Sequence, residues 1–174
     1  MKNRTLRQIT AAGVIAAAYA ALSLVLATIT FEPVQCRVSE ALTLLPVLSP
    51  AAIWGVTLGC AITNGVGAAT GANFLGMVDL FVGTAATLLA AVASRLLGRI
   101  RIGRVPWLSA LPPILFNAVA IGAEWCYAAT GSINVAFWAF AGQIALGQLP
   151  PCLLGVWLIH LLERRGLQNI IEGK

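Results

Sequence analysis

Apolar residues recur along this chain in long runs, and short polar or helix-breaking clusters separate them. The runs lie near 9–29, 37–49, 51–67, 77–97, 106–129 and 135–162. An α-helix needs roughly 20 apolar residues to cross a bilayer, and all but the second run approach that length. Pro46 and Pro50 bracket the end of the second run and Pro33 restricts its approach, since proline withdraws a backbone donor and disfavours helix in the residue before it. A tilted or irregular segment is expected there. Pro112-Pro113 and Pro150-Pro151 fall inside the fifth and sixth runs and should kink them. The pattern predicts an all-α integral membrane protein: one domain over 1–174, a bundle of six transmembrane helices whose second is short or irregular.

Composition removes the soluble alternative. Of 174 residues, 59% are hydrophobic and 10% charged, with mean hydropathy +0.89, whereas a soluble domain is about 25% charged. The first run is longer than a signal-peptide core and is followed by further spans, so it reads as mature structure.

The net charge of +5 is a topology signal rather than a nucleic-acid footprint, because the basic residues cluster at the ends of apolar runs. With the amino terminus inside, Lys2, Arg4, Arg7, Arg95, Arg99, Arg101, Arg104, Arg164, Arg165 and Lys174 all fall on the inner side and only Arg37 outside. The positive-inside rule then places both termini in the cytoplasm, and the cell membrane is the expected location. On the first helix Ala12, Ala16 and Ala20 form a stripe of small residues, with Gly13, Ala17 and Ala21 beside it. Such stripes let helices approach closely in lipid, either within the bundle or against a partner.

Catalytic chemistry is missing from the sequence. Lysine occurs only at positions 2 and 174, so no GxxxxGK[ST] loop can be built, and HExxH, GxSxG and CxxC are all absent. Cys36, Cys60, Cys126 and Cys152 and the lone His160 lack metal-ligand spacing. No enzyme activity, metal or cofactor is expected.

Charges inside a bilayer are costly and usually face a cavity or a partner. Glu40 and Arg37 begin the second run, Asn64 lies near the outer end of the third, Asp79 at the outer start of the fourth, and Gln143 about two turns into the sixth. Glu124 lies about 27 Å from the inner start of the fifth run at about 1.5 Å per residue. Five helices thus deliver polar groups to one depth, the outline of a small-molecule pocket opening outward. Each group also has a structural reading. Arg37 and Glu40 share a helix face and could neutralise one another. Asp79 could cap a helix, and Asn64 could bond a neighbouring carbonyl. Trp125, Tyr127 and Trp138 could stack a flat ligand or line the membrane interface.

The stretch Phe31-Glu-Pro-Val-Gln-Cys-Arg-Val-Ser-Glu-Ala-Leu-Thr-Leu-Leu-Pro46 resembles the signature of the QueT family, substrate-binding S components of energy-coupling factor (ECF) transporters. The likeness continues through Gly55-Val-Thr-Leu-Gly-Cys60 with Asn64 and through Asp79-Leu-Phe-Val-Gly-Thr-Ala-Ala-Thr-Leu-Leu89. The resemblance implies a six-helix S component that captures a queuosine precursor or related 7-deazaguanine and works with a transmembrane coupling protein and two cytoplasmic ATPases. It adds Gln35 to the expected substrate-binding set of Glu124, Glu40, Arg37, Asn64, Asp79, Trp125 and Gln143. It also favours partner docking for Ala12, Ala16 and Ala20. The preferred form of the ligand stays open. A self-sufficient secondary transporter of a small polar molecule is the alternative, and a passive scaffold would leave the outer acids without a purpose.

Overall fold

The computed structural model describes residues 2–32 and 34–166, with side chains from residue 5 onward. Pro33, Lys174 and the side chains of Lys2 and Arg4, which entered the expectations above, lie outside the described residues.

Helix α1 runs Lys2–Val25, followed by the single turn α2 (Ala27–Thr30), a 3-10 helix η1 (Val38–Val47), and α3 (Ala51–Thr70). Then come α4 (Met77–Leu97), a 3-10 turn η2 (Trp107–Ala110), α5 (Leu111–Thr130) and α6 (Phe137–Arg164). Among the described residues five helices are long and apolar enough to cross a membrane: Thr5–Val25, Ala51–Thr70, Met77–Leu97, Trp107–Thr130 and Phe137–Arg164. The surface is apolar, with Trp54, Phe81, Leu115, Leu146 and Trp157 all more than half exposed, whereas Gln35, Arg37, Glu40, Asn64, Asp79 and Gln148 are buried. An apolar exterior around an interior that holds charged and amide groups beside an apolar core of Ile15, Leu44, Val56 and Val156 suits a lipid surround.

One of the three proline expectations changes. Pro112 and Pro113 occupy the first turn of α5, where no intrahelical partner awaits their missing N–H groups, so they start the helix instead of kinking it. Pro46 lies inside η1, whose short, tight 3-10 winding is the irregular form that the second run takes. Pro150 and Pro151 do sit inside α6, depriving the carbonyls of Leu146 and Gly147 of their helical donors. Gly71 and Gly131 end α3 and α5 at φ 73° and 74°, the left-handed conformation that glycine adopts without penalty.

Close approaches fix the directions of the helices. A Cβ on Gly55 would lie 2.9 Å from the carbonyl oxygen of Ala12, and one on Gly59 2.9 Å from that of Ala16. Further along, Gly67 abuts Phe31. The contacts advance together, so α1 and α3 run parallel, and the chain must return between them. Segment 35–47 makes that return, passing Gly147 at Gln35, Gly155 at Ala41 and Gly98 at Val47. Its ten-residue 3-10 helix, at about 2.0 Å per residue, covers roughly 20 Å, about two-thirds of a bilayer core.

Both described ends therefore lie at one end of the bundle. There Thr5 and Gln8 border Pro50 and Ala51, Arg95 donates to the carbonyl of Pro46 at 2.7 Å, and Arg101 forms a two-point ion pair with Glu163 at 2.8–2.9 Å. Arg7, Arg99, Arg104, Arg164 and Arg165 belong to this basic end by their places in the chain.

Candidate functional site

Half-way from the basic end to the opposite one, the interior turns polar. Tyr19 on α1 donates to Glu40 Oε1 at 2.6 Å, and Thr43 donates to Glu40 Oε2 at 2.8 Å. Tyr19 and Glu40 are 0% exposed. Beside them Ser23 and Ser39 share a hydrogen bond of 2.6 Å. Alpha-helix α1 is thus tied to η1 by two buried polar contacts one turn apart.

Arg37, in the extended segment before η1, points to the facing helices. Its Nη1 donates to Cys60 Sγ on α3 at 3.7 Å, and its Nη2 stands 3.7 Å from Asp79 Oδ2 on α4. Its guanidinium carbon lies 5.8 Å from the Phe31 ring centroid, a cation–π distance. Cys60 Sγ also receives Asn64 Nδ2 at 3.5 Å and Thr87 Oγ1 at 3.3 Å. Asn64 Nδ2 donates to the Asp79 carbonyl at 2.9 Å, and Asn73, in the α3–α4 loop, donates to Asp79 Oδ2 at 2.7 Å. Asn73 holds its own loop by accepting from the Leu75 N–H at 3.1 Å. Gly83 supplies the room for Asp79, since a Cβ there would collide with Asp79 Oδ1.

What these groups leave unpaired defines the site. Arg37 Nε and Nη2, Asn64 Oδ1, Asp79 Oδ1, Gln35 Nε2, Gln148 Oε1, Thr84 Oγ1, both oxygens of Glu124 and Trp125 Nε1 are buried atoms without a hydrogen-bond partner. Native interiors tolerate few such atoms, each costing about 1–3 kcal/mol. They fall on segment 35–37, α3, α4, α5 and α6, and make up a candidate set of donors and acceptors.

Several expected roles change with the geometry. Arg37 pairs with Asp79, not with Glu40. Glu40, expected to meet ligand, spends both oxygens on Tyr19 and Thr43. Asp79 does not cap α4; its carboxylate faces Asn73 and Arg37. Gln143 is exposed. The buried glutamine of α6 is Gln148, five residues on and therefore about 140° round the helix. Trp125 already stacks in near-parallel geometry with Phe74 and Phe140, at 5.3 and 6.5 Å between centroids. Its available group is the indole N–H rather than a free ring face. Tyr127 and Trp138 are exposed, as interfacial aromatics are.

Glu124 borders a groove of about 490 Å³ between α4 and α5, whose wall is otherwise apolar apart from Tyr127 and includes Val78, Val82 and Val119. The stripe of small residues on α1 is largely turned inward: Ala16 and Ala20 are buried, and the carbonyl of Ala16 abuts Gly59. Ala12 is half-buried, and Gly13, Ala17 and Ala21 face outward. Asn73, Tyr19, Thr84 and Gln148 were not singled out from sequence; Asn73 reads as a turn former and Tyr19 as one more apolar-run residue. Among the described residues no group of three or more His, Cys, Asp or Glu side chains could hold a metal.

An apolar, multi-helix exterior around buried charged and amide groups defines a multi-pass membrane protein. Residues 9–164 match the family described as QueT transporter, and the chain belongs to that family. It is a transport protein rather than an enzyme. No curated protein and no solved structure matches it.

Proposed function

We propose that this chain is the substrate-binding S component of an ECF importer, which captures a queuosine precursor or related 7-deazaguanine from outside and passes it inward with a coupling protein and two cytoplasmic ATPases. The observation that carries this reading is the set of unpaired atoms on Arg37, Asn64 and Asp79, in a chain of the QueT family. A deazaguanine offers adjacent N–H donors at N1 and its exocyclic amine, which Asp79 Oδ1 and Asn64 Oδ1 can accept. Its carbonyl takes a donor from Arg37, and bonds to charged groups are the stronger kind. Glu124 suits a cationic substituent on the five-membered ring. Glu40 holds the framework.

The basic end faces the cytoplasm under the positive-inside rule, which puts the polar site toward the outside of the cell membrane. The chain has no P-loop, so energy comes from partner ATPases. The coupling protein docks on the outward half of the α1 stripe, Gly13, Ala17 and Ala21, beside a groove of about 460 Å³ that Ala12, Pro50 and Trp54 line.

Calorimetric titration of the detergent-solubilised chain tests the reading, with 7-cyano- and 7-aminomethyl-7-deazaguanine, queuine, guanine, thiamine and riboflavin as ligands. Tight one-to-one binding of a deazaguanine, weakened in Asp79→Asn and Glu124→Gln, is the expected result. Silence across the panel from folded protein removes the substrate assignment. Uptake by the chain alone in proteoliposomes, driven by an ion gradient without ATPases, would establish a self-sufficient carrier instead.

A further inference from the structure

Two buried amides have no part in the contacts that hold the framework. Gln148, on α6, and Gln35, on the extended segment, are each 1% exposed. Gln148 Oε1 and Gln35 Nε2 are buried without a partner. The two residues are neighbours, because Gly147 lets the Gln35 backbone press against α6: a Cβ on Gly147 would lie 2.7 Å from the Gln35 carbonyl oxygen. Gln35 and Arg37 are both buried while Cys36 between them is half-buried, the alternation of side chains that share a face two residues apart, and the Arg37 guanidinium reaches Asp79.

A buried, unpaired amide costs what a lost hydrogen bond costs, and an apolar side chain of equal size would avoid it. Gln35 and Gln148 each keep one buried amide atom free to meet a partner. One contributes an N–H donor and the other a carbonyl acceptor. Their complement is a ligand edge in which an acceptor atom stands beside an N–H donor.

We infer that Gln148 and Gln35 form a second subsite of the proposed deazaguanine pocket, reading the ring-nitrogen edge remote from the carbonyl and so admitting the free base while rejecting the nucleoside. This rests on the substrate reading above. With the carbonyl, N1–H and exocyclic amine matched to Arg37, Asp79 and Asn64, the edge left over carries the bare N3 acceptor next to N9–H. Gln35 Nε2 donates to N3, and Gln148 Oε1 accepts from N9–H. A sugar on N9 removes that hydrogen and puts a bulky group where Gln148 stands.

Titration of wild type and Gln148→Met with 7-deazaguanine and its 9-methyl derivative tests the inference, together with melting temperatures of the ligand-free proteins. Wild type should bind the free base about 100-fold more tightly than the 9-methyl compound, the scale of one buried, unpaired hydrogen-bonding group. Gln148→Met should weaken base binding and bring the two ligands within a few-fold of each other. A preserved preference in the variant overturns the assignment. If wild type binds neither compound, the substrate reading has failed and the melting temperatures judge the subsite. Gln148→Met and Gln35→Met at or above the wild-type melting temperature support a partner absent from the free protein, and a clear fall in both shows that the amides serve the fold instead.

Discussion

The hydroxyl of Tyr19 donates to the carboxylate of Glu40 across 2.6 Å, with both side chains fully buried. Glu40→Ala would strand the Tyr19 and Thr43 hydroxyls together, and a buried hydroxyl left unpaired costs about 1–3 kcal/mol. Tyr19→Phe removes one donor and should cost about 1–3 kcal/mol. Denaturant unfolding in detergent measures both, and a double-mutant cycle should show strong coupling between them. Ligand affinity of the folded fraction should change only a few-fold in Tyr19→Phe.

Asp79 behaves differently, because one of its carboxylate oxygens has no partner in the free protein. Asp79→Asn keeps the shape and removes the charge that faces Arg37 at 3.7 Å. We expect ligand affinity to fall by about 100-fold or more, a few kcal/mol for charge-assisted bonds. Calorimetry checks this, and Arg37→Lys should also lose affinity, since an ammonium cannot reproduce a planar two-nitrogen fork.

Gly83 is a test of space rather than of charge. A methyl group at this position meets Asp79 Oδ1 and comes within 2.9 Å of Asn64 Nδ2. Gly83→Ala should displace both and reduce ligand affinity at least ten-fold, with an overpacking cost of about 1–3 kcal/mol. Gly65→Ala, whose Cβ would meet only Leu80 at 3.7 Å, is the control and should match wild type in a parallel titration.

The α1–α3 contact separates fold from docking. In Gly59→Ala the new methyl lies 2.6 Å from Tyr19 Cβ, so the helices must part, at about 1–3 kcal/mol. Gly13 has nothing within 4 Å of a built Cβ. Gly13→Leu should leave the melting temperature unchanged and weaken co-purification with the coupling protein. Equal yields of complex would move the docking surface elsewhere.

Helix positions were readable in the sequence because lipid demands long apolar runs, and α3 and α4 begin where the second proline pair member and the outer acid suggested, at Ala51 and Met77. The winding of the second run was not, since a 3-10 helix depends on the glycines of α4 and α6 that pack against it. Burial of Arg37, Asn64 and Asp79 was legible from the cost of charge and amide in an apolar chain. Their partners were not. Asn73 reaches Asp79 only because the α3–α4 loop folds back, and Gln148 differs from Gln143 only by its angle round α6, which hydropathy averages away. Both choices are made by tertiary packing.

The slender winding of η1 sets how much of the interior can stay hollow. A 3-10 helix is tighter than an α-helix, and here its Ala41 backbone rides directly on Gly155, with no side chain as a spacer on the α6 side. One crossing of the bundle is thus made with a thin strut in place of a full-width pillar. Under the proposed function, the cross-section saved beside Arg37 is what a substrate would occupy, so capacity becomes a matter of girth, decided where the chain narrows.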